Sequence, residues 1–217
     1  LEGVSNTAGV TGFTSAGVTF EDGDVIADNL VNTTNSPITI TYAFSVNVDG
    51  CDDGVADMTT DVTVNPNPVL TITNLATEIC SGELTDITLT TPTDNEVITV
   101  TDVNYGLVTG GSVSVSDVYS DGGEVDELLE NPTDNAITIS YEFTITTTDG
   151  CPTAPTPQTV FVTVAPRPTM SISNSTATDI CSGEATAITL NSTVTDASIV
   201  LEGVSNTAGV TGFTSAG

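Results

Sequence analysis

The sequence predicts an all-β protein, a linear array of tandem β-sandwich domains. Three observations carry this expectation. Apolar and polar side chains alternate over many short runs, Val and Thr dominate those runs, and the chain repeats itself. Alternation of period two places every second side chain on one face of a sheet, and β-branched residues suit such a half-buried surface.

The elements follow in chain order. Ile38, Ile40, Tyr42, Phe44, Val46 and Val48 make one apolar row, and Leu70 with Ile72 and Ile87 with Leu89 make shorter ones. Ile137, Ile139, Tyr141, Phe143 and Ile145 form a further row with Thr138, Ser140, Glu142 and Thr144 opposite; Val160, Val162 and Val164 complete the set. Clusters of Gly, Asn, Asp and Pro separate the runs. The acidic stretch GEVDELLEN at 123–131 is the one place where the pattern admits a helical turn. About seven short strands in roughly 100 residues, each with one apolar face, point to an immunoglobulin-like sandwich. Tyr42 and Tyr141, near the start of the penultimate strand, read equally as corner tyrosines or as core aromatics of the inward row.

The repeat is explicit. Residues 1–17, LEGVSNTAGVTGFTSAG, recur unchanged at 201–217. A diverged repeat lies inside at about half that spacing. ICSGE stands at 79–83 and 180–184, DGC at 49–51 and 149–151, ITITYAF (38–44) matches ITISYEF (137–143), and VTVNP (62–66) matches VTVAP (162–166). The prolines of NPNP (65–68) and APRP (165–168) end sheet edges and stiffen joints. The boundaries are therefore 67–166 for a complete domain, 1–66 for the C-terminal part of the repeat before it, and 167–217 for the N-terminal part of the repeat after it. Cuts inside domains suggest a window on a longer fibre.

A proline-rich joint, a short strand, I-C-S-G-E, T-x-I-T-L, a Tyr-centred strand, D-G-C and V-T-V-x-P together resemble the PKD-like repeats of flavobacterial cell-surface proteins. Such repeats are stacked in gliding-motility adhesins of the SprB type. The resemblance covers the whole chain. It implies an Ig-like fold, export by the type IX system, an extracellular place in a fibre attached to the outer membrane, and a structural or adhesive role. It brings no catalytic residues.

Composition excludes several functions. Of 217 residues, 29 are acidic and one is basic (Arg167), with no His and no Trp, giving a net charge of −28. One cation leaves no footprint for a phosphate backbone, so no nucleic acid is expected, and an anionic membrane surface repels such a chain. No apolar run approaches the ~20 residues of a bilayer-spanning helix, so no membrane insertion is expected. Ser and Thr abound without a base to activate them, and carboxylate pairs sit in Gly-Asp turns. No enzyme is expected.

Ca²⁺ is the one ligand with a chemical case, and no other cofactor is expected. Glu21, Asp22 and Asp24, then Asp52, Asp53 and Asp57, then Asp121, Glu124 and Asp126 cluster oxygens on loops, as hard cations favour. None has EF-hand spacing, and the competing reading is a solvated acidic surface. Cys51, Cys80, Cys151 and Cys181 fit no zinc knuckle and read as disulfide cysteines of an exported chain. A first strand running the length of the domain would put Cys80 at one end and Cys151 at the other. Cys80 would then pair with the counterpart of Cys51 in the next unit, whereas a short first strand would restore a Cys80–Cys151 bridge. NTT (32–34) and the two NST triplets match a glycosylation acceptor, as chance allows in a Thr-rich chain.

The expected function is a structural repeat of a filamentous surface adhesin, a stalk whose partners are its neighbouring repeats and a surface or glycan target. The alternative is a ligand- or glycan-binding Ig-like module of a secreted multidomain protein. For that reading Phe13, Phe20, Tyr105 and Tyr119 are the only ring candidates, and they would need to be exposed and coplanar.

Overall fold

The alternating runs become strands. The structure, a computed structural model, describes residues 1–48, 51–52, 58–151, 157–174, 179–205 and 208–214, and every helix or strand among them is a strand. None of the described residues forms a helix able to cross a membrane.

The larger core is drawn from residues 70 to 164. A three-stranded sheet runs Gly123–Val125, Ile87–Thr90, Thr71–Asn74; a five-stranded sheet runs Val118–Tyr119, Glu96–Asn104, Ile137–Thr147, Gln158–Ala165, Glu78–Cys80. Ile87, Leu89 and Val125 of the first sheet meet Ile98, Ile139, Tyr141, Phe143, Val162 and Val164 of the second in one buried cluster. All sheet pairings are antiparallel except Glu78–Cys80, which lies parallel to Gln158–Ala165. The inward row expected in 137–145 is the buried one, because its even-spaced side chains all fall on the face that meets the other sheet.

Two expectations need correction. GEVDELLEN contains no helical turn; it forms the strands Gly123–Val125 and Leu128–Leu129. Val125, Glu127 and Leu129 are buried and the residues between them exposed, a period-two pattern that a helix would spread around its axis. The first strand is not continuous either. Thr71–Asn74 lies in the three-stranded sheet, then the chain crosses to the other sheet as Glu78–Cys80.

The crossing still traverses the whole module. Leu70 accepts a hydrogen bond from the Gln158 amide at 3.0 Å, whereas Cys80 stands opposite Ala165. Seven residue steps along the last strand separate those two levels, roughly 23 Å at about 3.3 Å per residue.

Residues 1–64 repeat one side of this architecture. Gly3–Ser5, Ile38–Phe44 and Met58–Val64 form a three-stranded sheet in the same register: Ile38 faces Val64 as Ile137 faces Val164, and Val4 faces Tyr42 as Val103 faces Tyr141. Residues 170–192 repeat the other side. Met170–Asn174 pairs with Ile188–Ser192, setting Ile172 opposite Leu190 as Ile72 is set opposite Leu89.

Candidate functional site: a buried carboxylate held by tyrosines

The central feature of the module is a charge in its core. Glu127 is 4 % exposed, on the inward row between Val125 and Leu129. An isolated ionised carboxylate there would cost several kcal/mol in lost hydration. The sequence supplies it with donors instead. Tyr141, from the long strand Ile137–Thr147, and Tyr105, just past Glu96–Asn104, both donate their hydroxyls to Oε2 at 2.6 Å. Oε1 accepts the backbone amides of Ser112 and of Val113 (2.7 Å for Val113) and the Ser112 hydroxyl at 3.1 Å. Thr85 completes the surroundings: its hydroxyl donates to Val125 O at 2.7 Å and accepts the Glu127 amide at 2.9 Å.

Local geometry explains the amides. Val108-Thr109-Gly110 leads into them, and Gly110 has φ +91° with its α-carbon tight against the neighbouring segment; a Cβ there would sit 2.2 Å from Leu128 O. The next position, Gly111, lies beneath the Tyr105 ring, where a Cβ would fall 2.3 Å from ring carbons. Only glycine permits both approaches. Tyr105 in turn meets Tyr141 edge-on, centroids 5.9 Å apart at 87°.

The electrostatics follow from these contacts. Burial pushes the Glu127 carboxyl upward, but the phenols and amides together outweigh it and hold the group below the usual glutamate range. Charge-assisted hydrogen bonds contribute about 1.5–3 kcal/mol each, so four of them exceed a desolvation penalty of several kcal/mol. Burial and the adjacent carboxylate push Tyr105 and Tyr141 well above the ordinary phenol value. At neutral pH the carboxylate is charged, the phenols keep their protons, and all are committed to one another. The arrangement cross-links three segments distant in sequence and offers no group for proton transfer or attack.

Residues 1–64 contain a smaller version. Tyr42 donates to Asp28 Oδ2 at 2.6 Å, and Thr14 gives its amide to Oδ2 at 2.7 Å and its hydroxyl to Oδ1 at 2.5 Å. Val10-Thr11-Gly12 precedes it, with Gly12 at φ +87° and a hypothetical Cβ 2.1 Å from Asn29 O. By strand register Asn6 stands where the other module has Tyr105, and Phe13, after Gly12, takes the place of Gly111. Burial raises Tyr42 to about 12, helped by Asp28; burial also pushes Asp28 up, but its hydrogen bonds prevail and its carboxyl is lowered. No protein-family model matches the chain, and no curated protein matches it.

The residues singled out from sequence lie elsewhere. Glu21, Asp22 and Asp24 are exposed in a turn, where the Glu21 amide donates to Asp24 Oδ2 at 2.8 Å and the Asp24 amide to Glu21 O at 3.0 Å. Asp121 accepts the Thr91 amide at 2.7 Å, and Glu124 and Asp126 are exposed. Asp52 lies in the short strand Cys51–Asp52, and Asp53 and Asp57 fall outside the described residues. Among the described residues no three His, Cys, Asp or Glu side chains gather where they could hold a metal ion. No disulfide joins Cys80, Cys151 and Cys181 to one another; Cys80 and Cys181 are exposed, and the Cys51 side chain is not described.

The rings do not form a platform. Tyr105 and Tyr119 are half-buried and meet Tyr141 and Phe143 edge-on, Phe13 packs on the smaller core, and Phe20 is exposed. Tyr42 and Tyr141 are core aromatics whose hydroxyls bond carboxylates. Asn32 of the NTT triplet spends its amide on Ser36 O and Val64 O, as Asn131 does on Asn135 O and Val164 O.

Sequence reasoning passed over Glu127 and Asp28. The signal was present: Val125-x-Glu127-x-Leu129 and Ile26-x-Asp28-x-Leu30 each put one acid in phase with two apolar neighbours. In a half-buried strand that phase means an inward carboxylate, which then demands donors.

Proposed function

We propose that the chain is a stalk segment of a filamentous cell-surface adhesin, built of tandem Ig-like modules with boundaries near 66 and 166. The observation that supports this reading is recurrence. Strand register, the close glycine approach and the carboxylate–tyrosine contact appear in residues 1–64 and again in 70–164. What recurs is a device for holding strands together, which suits a load-bearing part better than a binding pocket. Chain entry at Leu70 and exit at Ala165 lie at opposite ends of the module, as an end-to-end fibre requires. The net charge of −28 keeps neighbouring fibres apart, and first-turn and hairpin cysteines of successive modules staple the joints.

Single-molecule stretching of the whole chain tests the reading. A stalk module should yield in one sharp force peak, releasing about 100 residues and so roughly 350 Å of contour. Smooth extension without a peak would refute a load-bearing role.

A further inference from the structure

The joint between Val64 and Leu70 is framed by hydrogen bonds on both sides. Before the prolines, Asn32 gives its side-chain amide to Val64 O at 2.7 Å and to Ser36 O at 2.8 Å. That ties the turn at 33–36 to the last strand ahead of the joint. After the prolines, the Val69 amide donates to Thr93 Oγ1 at 3.2 Å and the Thr93 amide to Thr91 Oγ1 at 3.1 Å. Asp121 in turn accepts the Thr91 amide at 2.7 Å. Each turn is thereby braced to its own end of the joint.

The two braced turns then meet. The Asp94 amide donates to Asn35 O at 2.9 Å, and the Ser36 hydroxyl donates to Asp94 Oδ2. Pro66 and Pro68 are buried, although a plain tether of this composition would run through water. Their rings fix φ, so the backbone inside the frame has few torsions left to vary. All of these bonds run between residues 32 and 121, and the frame draws on neither end of the sequence.

The braces recur at the second joint. There Asn131 bonds Val164 O and Asn135 O, and the Thr169 amide donates to Thr193 Oγ1 at 3.3 Å. The meeting pair does not recur: Asn135 stands in the place of Ser36, and Val194 follows the bracing threonine where Asp94 follows Thr93.

We propose that Asp94, seated on the Asn35–Ser36 turn, locks the first joint, so that residues 1–64 and 70–164 move in solution as one rigid body. A second connection beside the covalent one closes a ring, and a ring of this kind fixes both bend and twist where a single linker fixes neither. The inference goes beyond the stalk reading and does not rest on it, since it uses only the bonds across this joint.

Residual dipolar couplings of the 217-residue chain in a dilute alignment medium test it. Couplings from Ile38–Phe44 and Met58–Val64 should fit the same alignment tensor as those from Ile137–Thr147 and Gln158–Ala165. Ser36→Asp sets a second carboxylate against Asp94 and should open the joint, because like charges in contact repel. Both residues are exposed, so couplings within each sheet should still fit, but two tensors should now be needed. The Asp94 amide should also exchange at least about tenfold faster in that variant than in the parent. The swap Ser36→Asp/Asp94→Ser restores a hydroxyl facing a carboxylate and should return the chain to one tensor. A parent that needs two tensors, or whose residues before 64 give averaged couplings, overturns the proposal. So does a Ser36→Asp variant that keeps one tensor, or a swap as loose as the single variant.

Discussion

Tyr141 donates its hydroxyl to Glu127 at 2.6 Å across 14 residues of chain, and Tyr42 reaches Asp28 at the same distance and the same separation. The acid differs by one methylene between the two copies, yet the contact is kept. A phenol on the central strand and a carboxylate on the preceding segment are therefore the invariant pair, with Tyr105 an addition made in only one of the two.

Removing the carboxylate should be costly. Glu127→Ala strands two phenols and two amides inside the core, each worth about 1–3 kcal/mol when left unpaired. Loss of at least 3 kcal/mol, of order 10 °C or more in the melting temperature, is expected for a module of about 100 residues. Glu127→Gln keeps the shape and one acceptor oxygen, so it should lose less. Calorimetry of the two variants checks the order, and a Glu127→Gln variant as stable as the parent would contradict the assignment of charge to the contact.

Acid should unlock the same centre. The folded carboxyl of Glu127 titrates below its ordinary value of 4.5, so its stabilisation is complete above that pH and disappears as pH falls through the lower folded value. Protonation of the many exposed carboxylates relieves repulsion and acts in the opposite direction. The test is therefore the difference between parent and Glu127→Gln, which should shrink as pH drops from 6 to 3.

Alkali should act through the phenols. Tyr42 rises from 10 to about 12, so the stability it lends is complete below pH 10 and is lost as pH climbs toward 12. Absorbance at the phenolate band should show Tyr105 and Tyr141 ionising only with unfolding, and a fully normal titration of all tyrosines would exclude their burial against carboxylates.

Gly110 should not tolerate a methyl group. With φ at +91° and backbone 2.2 Å from the new carbon, Gly110→Ala should destabilise by about 1–3 kcal/mol, while the same change at exposed Gly122, with nothing near its side-chain position, should cost less. Chemical denaturation of the pair checks the contrast.

Cys80 and Cys151 should not bridge within one molecule. Cys80 is level with Ala165, whereas the Cys151 amide bonds back to Thr147 Oγ1 at 3.1 Å, past the level where Phe143 faces Gln158. About 23 Å of strand separates those levels, against the ~7 Å a disulfide allows. Peptide mapping of air-oxidised monomer should find no such pair.

The strand content was legible because period-two patterning is a local property. Ile139, Tyr141 and Phe143 face inward as their alternation says. The sheet change at Leu75 was not legible, since nothing in TITNLATEIC marks which sheet each half joins; only the pairing partners Ile87–Thr90 and Gln158–Ala165 decide it. Glu127 was missed for a different reason. Acidic residues in so acidic a chain read as surface, and the donors that make one tolerable inside come from Tyr105, Ser112 and Val113, which no local pattern connects to it.

The parallel contact between Glu78–Cys80 and Gln158–Ala165 has a mechanical consequence. Opposed pulls on Leu70 and Ala165 slide these two strands past each other along their common axis. The bonds from the Thr163 amide to Thr77 O (2.9 Å) and from the Ser81 amide to Ala165 O (2.8 Å) are then strained together, in shear, and not peeled one after another. A pull on both ends of the hairpin between Ile137–Thr147 and Gln158–Ala165 would unzip it bond by bond. Geometry alone thus makes the pair joining the first and last parts of the module the latch that must give way before the sheets can separate.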